Sequence, residues 1–180
     1  MLYHASSHFG LTALAPHVST GRTAYVYAIR DKTAAVCFGA PKDDFDLLMD
    51  VEDGITVLCE CYPGALEKVY AGKTCALYTV DERTFRGGCT GWDAEYVSEA
   101  EVPVLSEEII PDILAYLLQE AERGSCIIRR YAEEEAYLSM LRDELRERID
   151  AFGLTKAQME RDCRFRLYFN KLLDPQDSAE

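Results

Sequence analysis

Leu2-Tyr3-His4-Ala5-Ser6, Ala24-Tyr25-Val26-Tyr27-Ala28 and Ala94-Glu95-Tyr96-Val97-Ser98 stand in that order along the chain. Each is a short run of the apolar, aromatic and small residues that suit a half-buried pleated strand. The first offers an imidazole at His4, the second phenols at Tyr25 and Tyr27, the third a carboxylate at Glu95. Three strands bearing three such groups point to a sheet-based fold, in which residues distant along the chain can meet.

The rest of the first half fits that expectation. Further strands are expected over 55–61, 66–70, 75–80 and 102–105, with 66–70 and 75–80 forming a hairpin around Ala71-Gly72-Lys73. Residues 7–22 carry Gly10, Pro16 and Gly21 and read mostly as loop. Asp31 is placed to cap a short helix over 32–38, which Pro41 ends. About six strands without regular βαβ alternation favour a mostly antiparallel sheet.

The second half changes character. Ile110, Ile113, Leu114, Leu117, Leu118 and Ala121 make one apolar helix face that Gly124 ends. A short strand is expected over 126–131. A second helix over 132–152 carries Leu138, Leu141, Leu145, Ile149 and Phe152 at helical spacing, and a third over 156–173 is capped by Thr155. Residues 174–180 read as a frayed tail. The fold class expected is α+β, with a sheet core over 1–105 and a helical extension over 106–180. No Gly/Ser/Pro-rich linker separates them, so the two pack as a single unit.

Composition limits the function. The 180 residues carry a formal net charge of −13, which repels phosphate backbones and argues against a nucleic-acid partner. Arg123, Arg129, Arg130, Arg161, Arg164 and Arg166 read as solvated helix-face charges balancing nearby glutamates. No apolar run reaches the roughly 20 residues of a bilayer span, and the N-terminus lacks the basic flank and apolar core of a secretory signal. A cytoplasmic protein with no membrane partner is the expectation. The seven cysteines are irregularly spaced and odd in number, which argues against a disulfide framework. Cys59-Glu60-Cys61 has no second cysteine pair to make a metal finger. The acidic group Asp43, Asp44, Asp46, Asp50, Glu52 and Asp53 does not follow a calcium-loop pattern and reads as solvated surface. Gly87-Gly88 lacks the flanking residues of a phosphate loop.

The three opening segments, taken together, resemble the ADP-ribosyltransferase superfamily of the histidine–tyrosine–glutamate type, and more narrowly a small bacterial branch of it. The resemblance covers roughly residues 2–105 and implies a split, mostly antiparallel sheet with NAD in its cleft. By that resemblance His4 holds the adenosine-side ribose, and the backbone at the small residue Ala5 approaches the carboxamide. Tyr27, with Phe38 as a second wall, flanks nicotinamide, and Glu95 grips the ribose as positive charge develops. Tyr25, on the same strand face as Tyr27, is the alternative aromatic, and Glu99 the alternative carboxylate. The implied activity is transfer of ADP-ribose from NAD to an acceptor, with release of nicotinamide. RNA 2′-phosphotransferases share the superfamily fold but rely on arginines beside the first histidine, and none lies near His4. A second reading keeps the fold without catalysis, as an interaction module whose C-terminal helices dock a protein partner.

Overall fold

The motif-bearing runs do form strands, and they lie side by side. The computed structural model describes residues 1–18 and 23–173; residues 19–22 of the expected loop and the expected frayed tail lie outside the described residues. The strands in chain order are β1 Leu2–Ser6, β2 Ala13–Leu14, β3 His17–Val18, β4 Ala24–Ile29, β5 Leu47–Glu52, β6 Ile55–Glu60, β7 Cys75–Val80, β8 Arg86–Gly87, β9 Glu95–Ser98, β10 Val102–Ile110 and β11 Cys126–Arg129. The helices are α1 Lys32–Val36, α2 Ala65–Tyr70, α3 Ile113–Arg123, α4 Glu135–Phe152, α5 Lys156–Arg161 and α6 Asn170–Leu173.

An eight-stranded sheet runs in the order β2-β10-β7-β1-β4-β9-β8, with β3 added beside β4. A separate three-stranded sheet runs β11-β6-β5. The pairings are antiparallel apart from β6 with β11. The chain is therefore α+β with a mostly antiparallel sheet. One buried cluster spans both halves of the sequence, from Ala5 and Ile29 through Leu58 and Leu77 to Ile113, Leu141, Phe165 and Leu172. A second fills the other face of the large sheet with Leu2, Val26, Ala28, Tyr78 and Val102. The expected division after residue 105 falls inside β10, where the pairing with β7 shifts register between Val104 and Ser106.

Three local expectations are corrected. Residues 66–70 are helix, not strand: Leu66, Val69 and Tyr70 are buried while Glu67 and Lys68 are exposed, a helical stripe rather than an alternation. β7 then pairs with β1 and β10 instead of forming the expected hairpin. The hairpin lies at β5–β6, where Asp53 and Gly54 both take positive φ, 50° and 78°, as a two-residue turn requires. Its first strand, β5, was hidden in the acidic run. The third expected helix is interrupted at Asp162, and its remainder passes through a wider π-type turn at Phe165–Phe169. The described part of 7–22 is mostly loop, as expected, broken only by the two-residue strands β2 and β3.

The cap on α1 forms as expected, with the Ala34 N–H donating to the Asp31 carboxylate over 2.7 Å. Just beyond α1 the backbone of Gly39 lies against Cys75, so that a β-carbon there would overlap the cysteine side chain. Gly39→Ala is therefore expected to lower stability by about 1–3 kcal/mol, read as a shifted urea midpoint at unchanged slope.

Candidate functional site

β1 runs beside β7 over all five of its residues but meets β4 at a single register pair, Tyr3 with Ile29. Beyond that pair β1 and β4 part. β3 pairs with the far end of β4, His17 opposite Tyr25. A cleft of about 1070 Å³ occupies the opening, close to the upper end of the roughly 300–1,000 Å³ found for ligand sites.

His4, Ala5, Tyr27, Phe38 and Glu95 all border this cleft. They reach it from four places: β1, the middle of β4, the turn after α1 and the first residue of β9. Pairing of β4 with β9 sets Tyr27 opposite Val97 and Ile29 opposite Glu95, so Tyr27 and Glu95 share one sheet face. Tyr25 does not border the cleft; its ring packs edge-on against Tyr27 at 5.9 Å. Glu99 lies beyond β9 and pairs with Arg86 on the surface.

The His4 ring settles its own tautomer. Nδ1 lies 2.7 Å from the Tyr27 carbonyl, which can only accept, so Nδ1 carries the proton. In the neutral ring Nε2 is then a lone-pair acceptor. Burial lowers the His4 pKa, against the bond to Tyr27 that raises it, and the nearby His17 lowers it further. A neutral imidazole at neutral pH suits acceptance of a hydrogen bond from a sugar hydroxyl. Burial raises the Glu95 pKa, partly offset by a hydrogen bond from Thr90. Tyr27 is raised as well, first by burial and then by the Glu95 charge.

The cleft holds residues that the motifs did not point to. All three histidines of the chain border it, His8 and His17 beside His4. His17 lies on β3 with its ring 5.8 Å from Tyr27. Tyr78 and Glu107 hold the loop that carries His8: the Tyr78 oxygen is 2.8 Å from the His8 carbonyl and from the Glu107 carboxylate, which accepts the Gly10 N–H at 2.7 Å. The cleft is also lined by Trp92, whose ring meets Phe38 at 6.0 Å, and by Lys42, Arg148 and Phe152. Arg148 and Phe152 belong to α4, so the helical extension helps to build the site. Spacing along the sequence gave no sign of this, because α4 is brought to the cleft by packing alone.

The solvated-surface reading of the acidic run is corrected in part. Asp43 and Asp46 both bind Arg164, which is itself largely buried rather than a helix-face charge. Arg130 likewise joins Glu60 and Glu67. Among the described residues no group of three or more histidine, cysteine or acidic side chains is placed to hold a metal, and no helix is long and apolar enough to cross a membrane. Five of the cysteines are buried as free thiols; Cys89 and Cys163 are exposed. The chain matches no family model, no curated protein and no solved structure.

Proposed function

We propose that the protein is an ADP-ribosyltransferase-like enzyme that binds NAD in the β1–β4 cleft and transfers ADP-ribose with release of nicotinamide. The observation that carries this reading is the convergence of His4, Tyr27 and Glu95, which together span more than ninety positions of sequence, on one dinucleotide-sized cleft. This reading takes the parting of β1 from β4, within the large sheet, as the split that opens the cleft.

The residues fit the ligand chemically. The His4 Nε2 lone pair accepts from a ribose hydroxyl. Tyr27 and Phe38 offer aromatic faces to the nicotinamide ring, worth about 0.5–1.5 kcal/mol beyond the area buried. Ala5, with its small side chain, leaves the parted β1 backbone open to an amide. Glu95, half-buried, attracts the cationic ribose more strongly than the ground state, which is where a carboxylate lowers the barrier. The open cleft counts against the silent-module alternative, in which protein side chains would fill it.

Trp92 is the single tryptophan and borders the cleft, so its fluorescence reports occupancy directly. NAD is expected to quench it saturably, and His4→Ala to weaken NAD by about tenfold, the loss of one well-placed hydrogen bond with partial desolvation. Absence of any saturable quenching, together with no nicotinamide release, would overturn the reading. Protonation of His4 removes the acceptor, so NAD affinity is expected to fall on acidification, with the midpoint below the ordinary histidine value. Folding stability follows the same sign. The unfolded chain binds the His4 proton more readily, so stability is lost as pH drops through the ordinary histidine range.

A further inference from the structure

The chain has 32 acidic against 19 basic residues, so carboxylate partners abound. Arg30, Lys32, Lys68, Arg86, Arg130 and Arg164 all take one or more. Lys42 and Arg148 are both half-buried, both border the cleft, and neither makes an ion pair among the described residues. Lys42 lies over the Phe38 ring, its Nζ 4.7 Å from the centroid. Arg148 donates to the backbone carbonyl of Asp44, two residues along from Lys42. The same loop is fixed from the far side by Arg164 gripping Asp43 and Asp46. Two cations are thus held at one corner of the cleft, which Asp44 and Glu95 also line.

We infer that this corner is an anion subsite, which receives a carboxylate or phosphate group of a small second substrate. Half-buried cations that make no ion pair favour an anionic ligand, since each has lost part of its hydration for only a ring face or a backbone carbonyl in return. Lys42 overlies the ring of Phe38, which the NAD reading sets against nicotinamide, so the corner lies beside the nicotinamide half rather than the adenosine half. That the anion belongs to the acceptor rests on the NAD reading; that the corner binds an anion does not. A long polyanion is disfavoured because the molecule as a whole is strongly negative.

The test is a titration of Trp92 fluorescence in the full chain at constant ionic strength. The probes are succinate for the carboxylate, glycerol phosphate for the phosphate, glycerol as the neutral control and a short oligonucleotide as the polyanion. At least one small anion is expected to give a saturable change that glycerol does not. Lys42→Gln with Arg148→Gln should weaken that anion about tenfold to a hundredfold, as loss of charge-assisted bonds does. Arg148→Lys, which keeps the charge, should retain most of the binding, and this separates a role in recognition from one in holding the loop. No saturable response to either anion, an equal response to glycerol, an unchanged affinity in the double variant or tighter binding of the oligonucleotide would each overturn the subsite. If the double variant loses NAD affinity as severely as anion affinity, the corner serves the phosphates of NAD and the assignment to a second substrate fails. If wild type binds the anion but not NAD, the NAD reading fails while the subsite stands.

Discussion

Glu95→Gln is expected to lower the turnover of nicotinamide release by about a hundredfold to a thousandfold while NAD affinity changes by less than about threefold. The size is that of removing one preorganised electrostatic group from a developing charge. The neutral amide keeps the shape and one hydrogen-bonding oxygen, so it still receives the ribose. It cannot strengthen its attraction as the ribose becomes cationic, and only that strengthening accelerates the bond cleavage. Single-turnover release of nicotinamide, set beside quenching of Trp92 by NAD, separates the two effects. Equal loss of affinity and turnover would show Glu95 to be a binding residue alone.

Stability should move in the opposite direction. Burial raises the pKa of Glu95 above the ordinary carboxylate value. The folded protein therefore holds that proton more tightly than the unfolded chain, and stability falls as pH rises through the interval between the two values. Gln has no proton to lose, so Glu95→Gln should melt higher than wild type at neutral pH and approach it in acid. Turnover by the wild type should rise with pH over a range set above that of a free carboxylate, because only the ionised form attracts the cation. A site residue that costs stability and supplies turnover is what a functional carboxylate in a partly dry cleft should look like.

The parts of this site that can be read from sequence are those whose signal is local. His4, Tyr27 and Glu95 each sit inside a strand-forming run, and the period of two fixes which neighbours share their face. Asp31 before α1 and Thr155 before α5 are likewise visible, because a cap acts within three residues. What stays hidden is set by packing. The apolar positions of α2 sit in a six-residue window too short to distinguish helical from strand periodicity. β5 is masked by its acidic flanks, since Asp50 and Glu52 are the outward side chains of an alternating strand. Arg148 and Phe152 reach the cleft from a helix whose apolar stripe predicts only that it packs, not on what. Which of Tyr25 and Tyr27 faces the cleft depends on how far β1 and β4 diverge, and no single strand encodes that divergence.

The same reasoning applies to the clasp that docks the C-terminal segment, where the largest stability effect is expected. Arg164 is 12% exposed and contacts Asp43, Asp46 and Asp162 at 2.6, 2.8 and 2.5 Å, with Asp46 itself only 11% exposed. Asp46 also accepts from the Tyr62 hydroxyl at 2.5 Å. Arg164→Met would leave those carboxylates clustered with no guanidinium between them. Removing one partner of a buried ionic group costs about 3–5 kcal/mol, because the remaining charge stays desolvated. For a chain of this length that corresponds to a fall in melting temperature of roughly 6–20 °C. Adding Asp46→Asn to Arg164→Met should recover part of the loss, since it removes the most buried of the three carboxylates, which would keep only Lys68 at 3.5 Å as a cation; a double variant no more stable than Arg164→Met would show that lost packing, not charge, sets the cost. Acid should mimic the single variant. Burial would raise the pKa of Asp46, but the bonds from Tyr62, the Asp43 N–H and Arg164 outweigh it and hold the value below the ordinary one. Asp162 is lowered chiefly by its bond from Arg164. The clasp therefore contributes fully above the ordinary carboxylate range and is lost as pH falls through the depressed values, whereas Arg164→Met should show a flatter acid dependence. Because Asp43 and Asp46 flank Asp44, whose carbonyl receives Arg148, the variant should also loosen the Lys42 corner of the cleft and weaken anion binding there without a cleft side chain having been touched.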